Sequence, residues 1–170
     1  MNISDEGLKL IKSFEGFHKM LPDGRCTAYQ GKYKDKHGKE HLDIPTIGWG
    51  CTEGVEMGMI WTTEEAEVGL RRELAKHEAA VLRVSTVAIN QNQFDAMVAL
   101  SYNVGTGALQ KSTLVKRLNR GDVNGAAAAF ELFNSAYGGV QPGLVSRRKR
   151  EAALFLKPTT APVVPAMPQR

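Results

Sequence analysis

The stretch PDGRCTAYQGKYKDKHGKEHLDIPTIGWGCT, residues 22–52, decides the fold class, because its pattern breaks with the helical periodicity on either side of it. It is rich in glycine, contains Pro22 and Pro45, and holds short β-prone runs at CTAY (26–29) and PTIGWG (45–50). Such runs, bounded by turn residues, predict a small hairpin or three-stranded sheet with a long charged turn around DKHGKE (35–40).

Upstream, Ser4 is a good N-cap, and Asp5 and Glu6 after it suit the positive end of a helix dipole. Gly16 should end that helix in a left-handed cap. Within it, Leu8, Ile11 and Glu15 fall on one face at about 100° per residue. A carboxylate on an apolar face is poorly solvated; desolvation raises its pKa, as a general acid working near neutral pH requires. From position alone, a helix-end glutamate turned to solvent or paired with an arginine is the plainer reading.

Downstream, Thr62 and Glu65 form a capping box, and Leu70, Leu74, His77 and Val81 recur as one buried stripe, which predicts a helix over roughly 63–84. That helix is long enough to join two lobes. A second capping box, Asn90 with Gln93, opens QNQFDAMVALSYNV, where Phe94, Met97, Val98 and Ser101 share a face and Gly105 marks the end. Further helices are expected in STLVKRLNR (112–120), DVNGAAAAFELF (122–133) and PGLVSRRKREAALFL (142–156). Residues 158–170, with four prolines and no periodicity, read as a disordered tail. The expected class is therefore α+β and mainly helical, with one small β element.

The 170 residues, 42% of them apolar, suffice for one domain with a real core. A net charge of +4 points to an anionic partner without identifying it. No helix-turn-helix, zinc or aromatic RNA-binding motif appears, so nucleic acid is disfavoured. The N-terminus lacks the features of a secretory signal, and no run approaches the roughly 20 apolar residues of a membrane span. The expectation is residence in the cytoplasm until another factor releases the protein.

Cys26 and Cys51 lack metal-site spacing and read as two idle buried thiols, although they flank the β runs symmetrically enough for a bridge to be conceivable. His18, His37 and His41 also lack metal-ligand spacing, and His77 reads as a satisfied core histidine. No metal and no cofactor are expected.

Several elements in one order carry a resemblance: EG at 15–16, AY at 28–29, TIGWG at 46–50, QNQFDAMVALSYNVGTGA at 91–108, STL at 112–114 and GLVSRRKREAALF at 143–155. Together they make the chain similar to the phage-type lysozymes, or endolysins, glycoside hydrolases that cleave peptidoglycan. The resemblance covers nearly everything but the proline-rich tail. It implies a lysozyme-like fold with a small β-containing N-terminal lobe (about 13–60), a larger helical C-terminal lobe (about 1–12 and 61–157) and a polysaccharide cleft between them.

It also implies roles. Glu15 matches the family's catalytic acid, which protonates the glycosidic oxygen between N-acetylmuramic acid and N-acetylglucosamine. Thr46 matches the threonine that helps position the attacking water. The implied reaction is hydrolysis with inversion. Arg147, eight residues before Phe155, matches an arginine that salt-bridges the acid; Arg148, Lys149 and Arg150 read as a solvated basic face. Tyr102 matches an aromatic position of the sugar-binding cleft, with a half-buried core tyrosine as the plainer alternative, and Ser112 and Thr113 match a nearby polar turn. The implied partners are peptidoglycan and, indirectly, a holin for release; the implied state is a monomer.

The second carboxylate departs from the family pattern. The familiar spacing puts it two residues after the tyrosine of AY and six before the threonine. Here those rules give Gly31 and Glu40, because the turn is about eleven residues longer. Asp43, beside LIP and three residues before Thr46, is favoured as the better held acid, with Glu40 and Asp35 as alternatives. A lytic transglycosylase, which needs no second carboxylate, and a non-catalytic wall-binding module are the rival readings.

Overall fold

The structure, a computed structural model, describes residues 1–35, 37–136, 138–159 and 163. It is α+β and mainly helical. Helices α1 (Asp5–Glu15), α2 (Thr63–Val84), α3 (Gln91–Val104), α4 (Thr106–Lys111), α5 (Thr113–Leu118), α6 (Val123–Ala128) and α7 (Pro142–Leu156) hold about half of the described residues. The strands are short: β1 (Cys26–Thr27), β2 (Lys32–Lys34), β3 (Glu40–Leu42), β4 (Ile60–Trp61), β5 (Ser135–Ala136) and β6 (Gly139–Val140). Two compact units result, Lys12–Glu73 and Met1–Ile11 with Leu74–Arg170. Most of the tail expected to be disordered lies outside the described residues. No helix among the described residues is long and apolar enough to cross a membrane.

Helix α1 starts as its sequence predicts: the Gly7 N–H donates to the Ser4 hydroxyl at 3.2 Å. It stops at Gly16, whose φ of +68° is open to glycine and costly to other residues.

In the smaller unit, β1 pairs antiparallel with β4, Cys26 opposite Trp61, and β2 pairs with β3 as a hairpin. The PTIGWG run, expected as a strand, is instead a tight loop. Thr46 and Tyr29 exchange backbone bonds at 2.8 Å, and Ile47 and Cys51 close the loop with bonds of 2.9 and 3.0 Å. Gly48 and Gly50 between them have φ of +61° and +91°, which extended backbone cannot accommodate. At Gly48 a Cβ would stand 3.0 Å from that of Ala66, so the loop lies directly on α2. Cys26, Ala28, Ile47, Trp49, Cys51, Val55, Ala66 and Leu70 form this unit's core. The Thr62–Glu65 capping box opens α2 with bonds of 2.8 and 3.1 Å.

In the larger unit α3 is the central helix. The expected stripe of Phe94, Met97, Val98 and Ser101 understates its burial, for every residue from Asn92 to Ser101 is buried. Helix α7 packs along it, and the Phe130 and Phe155 rings meet edge-on at 5.5 Å. Asp95, fully buried on α3, accepts from the Ser4 N–H at 3.1 Å, from the Ser4 hydroxyl and from Gln91 Nε2 at 2.8 Å. Burial pushes its carboxyl above the usual range, and those hydrogen bonds pull the other way.

One expectation is corrected on α7. Arg148 is not on a solvated face: it is fully buried, 3.0 Å from Glu151 Oε2 and 2.9 Å from Asn103 Oδ1. Lys149 and Arg150 are exposed as expected. Helix α4 and the β5–β6 hairpin have no counterpart in the sequence reading.

Candidate active site

Glu15 is the last residue of α1 and is half-buried. The chain on both sides of it is held by Trp49. Lys12, one turn earlier, lies with its ammonium 4.2 Å from the Trp49 ring centroid and pairs with Glu67. Phe17, two residues later, packs on the same ring at 4.7 Å. A buried aromatic gripped from two directions fixes the backbone that presents the acid.

Tyr29 connects Glu15 to the β region. Burial pushes its phenol above the usual value, and the negative charges of Glu15 and Asp43 push it the same way. Both carboxylates therefore stand within electrostatic reach of one phenol. Its backbone pairs with Thr46, and its ring lies 5.6 Å from that of His18. Neither Tyr29 nor His18 was assigned a role from sequence, although the AY dipeptide was part of the recognised pattern.

Asp43 follows β3, and its backbone is anchored at both ends. Its N–H donates to the Gly31 carbonyl at 2.9 Å, and its carbonyl accepts from Gln30 Nε2 at 2.7 Å. The exposed carboxylate accepts from the Ile44 N–H at 2.8 Å. A Cβ added to Gly31 would lie 3.7 Å from the Asp43 Cβ and 3.8 Å from Oδ2. Of the two positions that counting gives, Gly31 lies beside Asp43, where the hairpin leaves and returns, whereas Glu40 stands within the hairpin opposite Lys34. Thr46 is half-buried, and its hydroxyl donates to the Ile44 carbonyl at 3.0 Å.

The two rival acids sit within the hairpin. Glu40 is exposed and pairs with Lys32 at 2.7 Å. Asp35 organises the turn, accepting from the N–H groups of His37 at 2.8 Å and Lys39 at 3.0 Å, with His41 Nε2 at 2.8 Å. The His41 bond first, then the two backbone bonds, hold the Asp35 carboxyl below the usual range.

The remaining candidates belong to the larger unit. Tyr102 is half-buried with its ring edge-on to His77 at 5.5 Å; His77 is buried, and its Nδ1 lies 2.9 Å from the Ser101 hydroxyl. Ser112 is buried and caps α5, accepting from the Val115 N–H at 3.0 Å, while Thr113 is exposed at the first position of α5. Arg147 is buried on α7; its Nε lies 3.0 Å from Glu151 Oε1, and it donates to the Ala99 carbonyl. Cys26 and Cys51 are both buried and free. Burial, followed by the nearby Glu73 charge, pushes the Cys51 thiol up to about 12.

Residues 25–151 match the phage lysozyme family. The chain is 38% identical over 162 residues to the endolysin of Acyrthosiphon pisum secondary endosymbiont phage 1, covering 91% of this chain and 98% of that one. It is 39% identical to the endolysin of Bacillus phage PZA, covering 91% of this chain and 55% of that one, so it spans about half the length of that relative. Among solved structures it is similar to the muramidase domain of SpmX from Asticaccaulis excentricus, with a TM-score of 0.74, 34% identity, and coverage of 92% of this chain and 99% of that one. A family match over residues 25–151, relatives 38% and 39% identical over most of this chain, and the shared fold lead to one conclusion: the chain belongs to the phage lysozyme family.

Proposed function

We propose that this protein is an endolysin, a muramidase that hydrolyses the β-1,4 bond between N-acetylmuramic acid and N-acetylglucosamine in peptidoglycan during host lysis. The observation that carries the reading is the phage lysozyme family match over residues 25–151; Glu15 at the end of α1 and Asp43 at the root of the hairpin supply two carboxylates for it. Glycoside hydrolysis by inversion requires such a pair, one acid to protonate the leaving oxygen and one base to activate water.

In this mechanism Glu15 donates its proton to the glycosidic oxygen. Asp43, solvent-exposed, accepts a proton from the attacking water, which Thr46 helps orient. Tyr102, Ser112 and Thr113 contact the sugars. The enzyme acts as a monomer without metal or cofactor, does not bind nucleic acid, and stays in the host cytoplasm until a holin lets it reach the wall.

Release of reducing ends from purified peptidoglycan, with the anomer assigned by NMR, tests the reading. Inverted product supports it. Products ending in 1,6-anhydromuramic acid would mark a transglycosylase instead, and wall binding without turnover would mark a binding module.

A further inference from the structure

The β2–β3 hairpin is left unused by the mechanism above. Its register places Tyr33 opposite His41 on one face, and Lys32–Leu42 and Lys34–Glu40 on the other. The Tyr33 and His41 rings stack at 5.4 Å with planes 21° apart. Tyr33 is 53% exposed and His41 half-buried, so this stacked pair presents the Tyr33 ring to solvent instead of to a core.

Charge gives the hairpin a direction of preference. Residues 32–42 contain four lysines against two acids. Both acids are already engaged, Glu40 by Lys32 and Asp35 by the turn and His41. Lys34 and Lys39 form no ion pair among the described residues. The surface therefore combines an aromatic platform, suited to the apolar face of a sugar ring, with net positive charge, suited to a polymer carrying carboxylates. Its two ends meet at the Gly31–Asp43 bond, so it is continuous with the proposed active site.

We propose that this hairpin is an accessory binding wing for the peptidoglycan strand, in which Tyr33 and His41 stack on a sugar and the lysines attract the strand's carboxylates. The proposal rests on the muramidase reading for its ligand, and it adds a contact outside the reacting sugars. Such a contact holds substrate and transition state equally, so it lowers KM and leaves kcat alone.

The test uses the full chain carrying Glu15→Gln and purified sacculi in a co-sedimentation assay. Adding Tyr33→Ala with His41→Ala should weaken binding about tenfold, whereas Tyr33→Trp should retain it. Lys34→Gln with Lys39→Gln should weaken binding at low salt, with the difference fading at high salt. In the active protein, the Tyr33/His41 pair of substitutions should raise KM on solubilised strands at unchanged kcat, with far-UV circular dichroism unaltered. Undiminished binding by both sets of variants, a loss confined to kcat, or no binding of the Glu15→Gln protein to sacculi would each overturn the proposal. Failure of the muramidase reading looks different: the wild type would bind sacculi, lose affinity on the same substitutions, and release no reducing ends.

Discussion

The Asp43 N–H donates to the Gly31 carbonyl at 2.9 Å, and this bond closes an eleven-residue excursion so that the chain resumes beside the point where it left. A hairpin closed at its base can be inserted without moving the residues on either side of it. That is why Asp43 carries its carboxylate next to Gly31, although counting from Tyr29 and counting from Thr46 give other positions.

The closure can be tested by moving the carboxylate across it. In an Asp43→Ala background, Gly31→Asp should recover at least about tenfold of the lost activity, since a positioned general base contributes about 10²–10⁴-fold and this one would be slightly displaced. Reducing-end assays on solubilised peptidoglycan read the outcome. No recovery in a folded double variant would show that the two positions are not equivalent.

The choice among the three acids has its own signature. Asp43→Asn should cut kcat by about 100-fold or more. Glu40→Gln removes an exposed ion pair worth about 0–1 kcal/mol and should leave kcat within about twofold. Asp35→Asn, whose native carboxylate serves the turn, should also leave kcat nearly unchanged. A large kcat loss on Glu40→Gln would sink the assignment of Asp43.

Glu15→Gln should lower turnover by about 10²–10⁴-fold while leaving the thermal midpoint close to that of the wild type, because the side chain is half-buried and the exchange is isosteric. Activity and melting curves measured on the same sample separate the two effects. A parallel fall in both would assign Glu15 to the fold and not to the chemistry.

Glu151→Ala should do the reverse. Glu151 is fully buried between Arg147 and Arg148, and removing it leaves two buried guanidinium groups without their carboxylate. Breaking such a group costs about 3–5 kcal/mol. Denaturant titration should show an unfolding free energy lower by about that amount, read as a lower midpoint at unchanged slope.

Cys51 supplies a pH dependence. Its folded thiol is pushed up to about 12 from an ordinary value of 9.0, so between those values the unfolded chain gives up its proton and the folded one does not. The folded state binds more protons there, and stability falls as pH rises through that window; below it the contribution is fully present. Thiol titration with an aromatic disulfide at pH 8 should be slow for both buried cysteines in the native protein and give two equivalents after denaturation. Two fast equivalents under native conditions would contradict the burial.

Much of the helical scaffold was legible in the sequence because its signals are local. Ser4 and Gly16 bound α1, the Thr62–Glu65 and Asn90–Gln93 boxes open α2 and α3, and Pro142 stands at the start of α7, each acting within one turn of itself. The β region was less legible. PTIGWG has the composition of a strand, but the positive φ angles of Gly48 and Gly50 and the packing of Gly48 on Ala66 make it a loop. Arg148 misled for a related reason: a basic run on a helix looks solvated until its neighbours are known, and burial beside Glu151 and Asn103 depends on contacts up to 45 residues away.

By itself the sequence determined most of the helices and the family, and marked Glu15 as the candidate acid, since caps, periodicity and ordered motifs survive a change in loop length. Only tertiary structure decided that Gly31 and Asp43 lie side by side and that Tyr29 feels both Glu15 and Asp43. Spacing along a chain measures contour length. Electrostatics and catalysis depend on distance through space, and a closed hairpin changes the first without changing the second.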